Sequence, residues 1–257
     1  MKLVFLGTGT SFGIPVVGCE CRICTSVDGR NRRTRHGLLV RHQGRTLLVD
    51  TPPELRLQLV EAGARHIDAV FLSHPHADHA HGIDDLRIFG LRSRKPVPLY
   101  VAAEYAEEVR ARFSYIWDVR RPAAGVTVPD LDLRAFEDRE RLDASGFPIV
   151  PIGFPHGAYK SYGFRLGELA VIVDAKAVPE DALDLLAGVR VLVLNALWFG
   201  NPHPSHMNVE EALAVSRALH AERTYLTHLS HRLDHAELEQ RLPAGVRAAY
   251  DGLEIEV

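Results

Sequence analysis

His74-Pro75-His76-Ala77-Asp78-His79 places three imidazoles and one carboxylate within six residues. Crowding prevents all four from binding one ion from a single loop. Spread over a turn, they can serve two ions, and hydrolytic two-metal sites hold their ions ~3.5–4 Å apart. The short apolar run at 69–72 predicts a strand that stops at Ser73-His74, and a helix is expected near 84–89. The motif therefore sits at a strand end, which argues against a merely solvated histidine-rich loop.

The same arrangement recurs along the chain. A strand over 147–153 runs into His156, a hairpin of 164–166 with 170–173 delivers Asp174, and a strand over 223–227 delivers His228. Four apolar strands thus end in a potential ligand, and strand ends are where α/β layers build sites. Strands over 38–42 and 46–50 flank a Gln43-Gly44-Arg45 turn and end at Asp50. Helices are predicted over 54–62, 105–115 and 179–186. Another starts at Asn208, with Glu211 completing a capping-box spacing. The alternation predicts an α/β (α+β) chain of two mixed sheets with helices outside. It reads as a single domain over 1–257, with 118–146 as an irregular insertion. His36, His42, His66, His81, His220 and His235 gain no support as ligands.

Composition fits an ordinary soluble globular protein, with 46% hydrophobic and 25% charged residues in 257. The net charge of −3 argues against a polyanionic partner such as nucleic acid. Only four apolar residues follow Lys2 before Gly7, too few for a signal peptide, and no run approaches membrane-spanning length. The three cysteines, Cys19, Cys21 and Cys24, lie within six positions. Without an export signal they point to a reducing cytoplasm and to metal binding rather than a disulfide.

The 74–79 motif resembles the HxHxDH signature of the metallo-β-lactamase fold, a four-layer αββα sandwich. The resemblance implies that His74, His76 and His156 hold one ion. Asp78, His79 and His228 would hold the other, with Asp174 bridging and Asp50 orienting a ligating imidazole.

The 6–10 start, the cysteine cluster, this motif, His206 and the 227–231 stretch occur together in order. That combination resembles the PhnP family of bacterial phosphonate breakdown, from residue 3 to Asp251-Gly252-Leu253-Glu254-Ile255. The family implies a structural zinc on Cys19, Cys21, Cys24 and His231 that pins a loop over about 15–30. It also implies two catalytic divalent metals, zinc or manganese, and a homodimer. The implied reaction is hydrolysis of a small cyclic phosphodiester such as phosphoribosyl 1,2-cyclic phosphate, by a hydroxide held on the metals. Asp78 and His206 are the catalytic candidates, with His206 protonating the leaving oxygen. His206 precedes a capped helix, whose N-terminus attracts anions. Lys160 and Tyr159 are the candidate substrate contacts.

Three other readings compete. A tRNA 3′-processing endonuclease of the same fold would need a long basic exosite. The pyrroloquinoline quinone biosynthesis B group carries a similar cysteine cluster. A non-catalytic zinc module binding RNA or a protein would use that cluster alone.

Overall fold

A computed structural model describes residues 1–118 and 127–257. The first half comprises β1 (Lys2–Gly7), β2 (Gly37–His42), β3 (Arg45–Val49), α1 (Leu55–Glu61), β4 (Ala69–Leu72), α2 (Ala77–Ala80), α3 (Arg87–Ser93), β5 (Val97–Ala102), α4 (Ala103–Arg112), α5 (Ser114–Trp117) and β6 (Leu131–Phe136). There follow β7 (Leu142–Asp143), β8 (Pro148–His156), β9 (Tyr159–Leu166), β10 (Leu169–Ile172), α6 (Glu180–Leu186), β11 (Val191–Asn195), α7 (Val209–Leu219), β12 (Arg223–Thr227), α8 (His235–Arg241), β13 (Val246–Ala248) and β14 (Glu254–Glu256).

The strands form two seven-stranded sheets, ordered β14-β1-β2-β3-β4-β5-β6 and β13-β12-β11-β10-β9-β8-β7. Each is mixed. β3 to β6 run parallel after an antiparallel β1-β2-β3, and β10 to β13 run parallel after an antiparallel β8-β9-β10. The sheets meet face to face through aromatic contacts. Phe5 lies 5.8 Å from Tyr225 and Phe71 lies 5.1 Å from Phe164, centroid to centroid.

Alternation along the strands explains the layers. Val171, Val193 and Tyr225 face the first sheet, whereas Ala170, Ile172, Leu192, Leu194 and Leu226 pack under α6, α7 and α8. Strands covered on both faces read as continuous apolar runs. On the first sheet, Leu55, Leu59, Phe89, Tyr105 and Val109 bring α1, α3 and α4 onto the core. This is the expected four-layer αββα sandwich.

Three local expectations are corrected. Residues 118–146 are not wholly irregular: β6 and β7 form the outer edges of the two sheets. Their charged Asp132, Arg134 and Asp143 suit sheet edges and hide the strand pattern. Residues 119–126 of that stretch lie outside the described residues. The helix near 84–89 is a 3-10 turn over Ile83–Leu86 that leads into α3. The helix over 105–115 begins at Ala103 and breaks at Phe113.

The strand topology brings the C-terminal ends of β1, β3, β4, β8, β10 and β12 to one edge. Asp50, Asp174 and His228, just past three of those ends, have φ of 63°, 55° and 56°. Non-glycine residues held there cost ~1–3 kcal/mol each and are kept where surrounding structure over-determines them. All three point into one cluster.

Candidate metal centre

His74 Nε2 lies 2.9 Å from His76 Nδ1, which lies 3.3 Å from His156 Nε2. His79 Nε2 lies 3.4 Å from Asp78 Oδ2 and 3.2 Å from Asp174 Oδ2, and His228 Nε2 lies 3.0 Å from Asp174 Oδ1. The ligand atoms of each group fall within 4.8 Å of one another. Asp174 joins the groups, since its Oδ2 is also 3.7 Å from His74 Nε2 and 3.8 Å from His156 Nε2.

His79 Nε2, His228 Nε2 and Asp174 Oδ1 are buried, and none makes a hydrogen bond despite these short distances. The atoms converge on common points rather than on one another. Unpaired polar atoms cost stability unless a ligand satisfies them. The donor set of imidazoles and carboxylates suits divalent ions, and the residues fit them.

The charge balance agrees. Burial opposes charge on Asp174, but the His228, His79 and His206 rings hold its carboxyl well below the usual range. Burial keeps His74 neutral and lowers His156 to about 4. Burial also disfavours charge on His79, yet the carboxylates of Asp174, Asp78 and Asp50 raise it well above an ordinary histidine. Those three carboxylates call for a cation at that point.

Supporting contacts fix the rings. Asp50 Oδ2 accepts from His79 Nδ1 at 2.6 Å and from the Ser73 hydroxyl at 3.0 Å, and Oδ1 accepts from Ser73 N at 2.8 Å. Ser73 Oγ in turn accepts from His74 Nδ1 at 3.0 Å. His156 Nδ1 donates to the Ser205 carbonyl at 3.0 Å. Ser73 was missed in the sequence because a lone serine carries no periodic signal. His203 was missed too, although a histidine three residues before His206 and between two prolines was a signal.

Cys19, Cys21 and Cys24 place their sulfurs 3.4, 3.6 and 3.6 Å from His231 Nδ1. A tetrahedral site with Zn–S of ~2.3 Å and Zn–N of ~2.0–2.1 Å has S···N edges of about 3.6 Å, so the four residues fit zinc. The Cys24 amide donates to Cys21 Sγ and lowers its thiol to about 6, while burial pushes Cys24 up to about 11. Arg33, fully buried, ties this loop to the other side of the site. It donates to the Ser230 carbonyl at 3.0 Å and the Leu233 carbonyl at 2.8 Å.

His206 Nε2 faces Asp174 Oδ2 at 3.3 Å, and its ring stacks on His228 at 4.9 Å. The N-terminus of α7, however, is not an open anion site. Asn208 accepts from Glu211 N, Glu211 returns a bond from Asn208 N, and Val209 N donates to Trp198 O.

Tyr159 sits opposite His156 in the β8–β9 register, with its ring 4.9 Å from His76. Lys160 does not join it. Neighbours on a strand face opposite ways, and Lys160 pairs with Glu104 at 3.4 Å.

A sequence model of the beta-lactamase superfamily domain matches residues 45–229. A PhnP-family diphosphatase of known crystal structure is 34% identical, with a TM-score of 0.91 over 100% of this chain and 97% of that one. A coenzyme PQQ synthesis protein B from Methylobacterium nodulans is 30% identical over 76% of this chain and 72% of that protein. An octanoyltransferase from Porphyromonas gingivalis is 34% identical over 99% of this chain, but the chain spans only 51% of it. No helix among the described residues is long and apolar enough to cross a membrane. The chain belongs to the beta-lactamase superfamily, with the metallo-β-lactamase fold and a PhnP-family diphosphatase as a structural neighbour.

Proposed function

We propose that this protein is a binuclear-metal phosphodiesterase that hydrolyses small cyclic phosphodiesters such as phosphoribosyl 1,2-cyclic phosphate. It would carry two divalent ions, zinc or manganese, and one structural zinc. The observation that carries the reading is the position of His206 Nε2, 3.3 Å from the one carboxylate oxygen that both ligand groups share.

His74, His76 and His156 would hold one ion, and Asp78, His79 and His228 the other, with Asp174 between them. When bound, such ions supply Lewis acidity toward a water and toward the phosphoryl oxygens. His206 stands beside the centre, within reach of an oxygen leaving phosphorus, and donates a proton to it. Positioned general acids contribute about 10²–10⁴-fold. Asp78 Oδ2, 3.4 Å from His79 Nε2, would serve as a ligand beside it. Tyr159, 43% exposed beside His76, offers a ring face to the organic part of the substrate. Because Lys160 is turned to Glu104, phosphate charge is left to the metals.

One observation favours a second reading. The neighbour at 34% identity is named a diphosphatase, and a diphosphate diester would meet the same groups. A transfer-RNA substrate has less support, given the net charge of −3 and a 97–117 segment folded as an ordinary strand–helix unit.

The test is to count metals in purified protein. It is then assayed on phosphoribosyl 1,2-cyclic phosphate, bis(p-nitrophenyl) phosphate, a dinucleoside diphosphate and precursor tRNA. Three metals per chain and fastest turnover of the cyclic diester are expected, with His206→Ala losing kcat at full metal content. A single metal, surviving loss of His76 and Asp78 but not of Cys21, would overturn the reading. Faster turnover of precursor tRNA would move it to the nuclease.

A further inference from the structure

The Pro202-His203-Pro204-Ser205-His206 segment holds a second histidine that the proposed reaction does not use. The backbone amide of Ser205 donates to His203 Nδ1 at 3.3 Å. A backbone amide can only donate, so Nδ1 is the acceptor and the His203 proton resides on Nε2. Ser205 Oγ lies 3.3 Å from that same Nδ1 and 2.9 Å from His206 Nδ1. The two Nδ1 atoms are themselves 3.2 Å apart. His206 Nε2 faces Asp174 Oδ2 at 3.3 Å, and a carboxylate oxygen can only accept, so the His206 proton lies on Nε2 and its Nδ1 is the acceptor. The Ser205 hydroxyl then donates to His206 Nδ1, while the Ser205 amide donates to His203 Nδ1. The His203 ring is braced edge-on by Trp198 at 5.5 Å. Trp198 Nε1 is tied to the Asn201 carbonyl at 2.7 Å, and the Arg232 guanidinium covers its ring at 4.4 Å.

We propose that His203 is a positioning residue: by accepting from the Ser205 amide it holds the Ser205 hydroxyl on His206 Nδ1, which keeps the His206 proton on Nε2, facing the leaving oxygen. This rests on the reading of His206 as general acid. The bond pattern leaves Nε2 as the one ring atom of His206 turned to the reacting centre. A proton carried there is the one transferred. His203 itself touches neither the ligand set nor the reacting atoms. An aromatic ring of the right size without an acceptor would keep the Trp198 contact and lose the constraint. Asparagine would restore an acceptor close to the Nδ1 position.

The experiment uses zinc-loaded protein and the variants His203→Phe, His203→Asn and His206→Ala, with metal content measured for each. Long-range ¹H–¹⁵N correlation of the imidazoles reads the His206 tautomer directly. A single Nε2–H form is expected in the wild type and His203→Asn, and a mixture in His203→Phe. Kinetics then compare an alkoxide-leaving cyclic ribose phosphate with bis(p-nitrophenyl) phosphate, whose phenolate leaves without a proton. In His203→Phe, kcat should fall at least tenfold more on the alkoxide ester, with KM within about twofold on both, as in a milder His206→Ala. Equal losses on both esters, or an unchanged tautomer, would overturn the positioning role while leaving the phosphodiesterase reading intact. A wild type that turns over neither ester overturns the reaction reading and this inference with it.

Discussion

His228 and His231 stand three residues apart on one loop and serve different clusters. His228 Nε2 is 3.0 Å from Asp174 Oδ1, while His231 Nδ1 is 3.4 Å from Cys19 Sγ. The thiolate cluster therefore holds the loop that supplies a ligand to the other centre. Cys21→Ser should remove one metal per chain and lower Tm by about 5–10 °C, which is about 2–3 kcal/mol in a domain of this size. Metal analysis with a thermal scan checks it, and activity should decline only as the loop loosens.

Arg33 reaches the same loop from behind. Replacing it with methionine keeps the buried volume but strips donors from the Ser230 and Leu233 carbonyls. Each buried acceptor left unpaired costs ~1–3 kcal/mol, so Arg33→Met should lose about 2–4 kcal/mol in urea unfolding. Faster amide exchange confined to 229–233 should accompany it. Unchanged exchange there would remove the clamp role.

Asp50 gathers two imidazoles, one directly and one through Ser73. Asparagine tolerates the left-handed backbone at this position. It cannot accept from His79 Nδ1, Ser73 N and Ser73 Oγ together, because one of its two positions becomes a donor. Asp50→Asn should weaken divalent-metal affinity by about 10–100-fold in a chelator competition, and an unchanged affinity would contradict the account.

Asp251 sets a pH dependence. Its carboxyl accepts from Thr8 N at 2.9 Å, Thr8 Oγ1 at 2.7 Å, Thr34 N at 2.6 Å and Thr34 Oγ1 at 2.7 Å. Burial outweighs these bonds and pushes it up to about 6 from 3.8. A raised carboxyl contributes stability that is full below the unfolded value and is lost as pH rises through the folded one. The stability attributable to Asp251 should therefore fall between pH 4 and 7, by about 1–2 kcal/mol after discounting for water at this half-buried residue. Asp251→Asn, which turns an amide NH₂ toward two donors, destabilises at every pH. Its cost relative to wild type should shrink across that window in chemical denaturation at each pH.

The ligand cluster was legible because strand ends are marked by where an apolar run stops, and each of His74, His156, Asp174 and His228 stands within two residues of such a stop. The sheet edges were not legible. β6 buries only Leu131 and Phe136, at its two ends, with Asp132 and Arg134 between them, and β7 is two residues long, so neither forms an apolar run. Lys160 illustrates a different limit. Its residue type suits phosphate, but its place on β9 next to Tyr159 turns it to the opposite face. The spacing of His203 from His206 marked the segment, but the value of His203 and Ser205 lies in hydrogen-bond direction, which spacing does not encode. The capping box at Asn208 was visible, yet its implication ran the other way: a helix start that satisfies its own amides has little left for an anion.

The loop shared by His228 and His231 also bears on biosynthesis. The cysteine cluster joins positions 210 residues apart, and the second ligand group needs residue 228. A nascent chain that has emerged only as far as β11 contains nine of the eleven residues in the two centres and completes only the His74, His76 and His156 group. The closing residues arrive with β12 and the turn after it, so the complete ligand sets belong to the finished chain. A ribosome-bound chain halted before residue 228 should retain at most that first group of ligands.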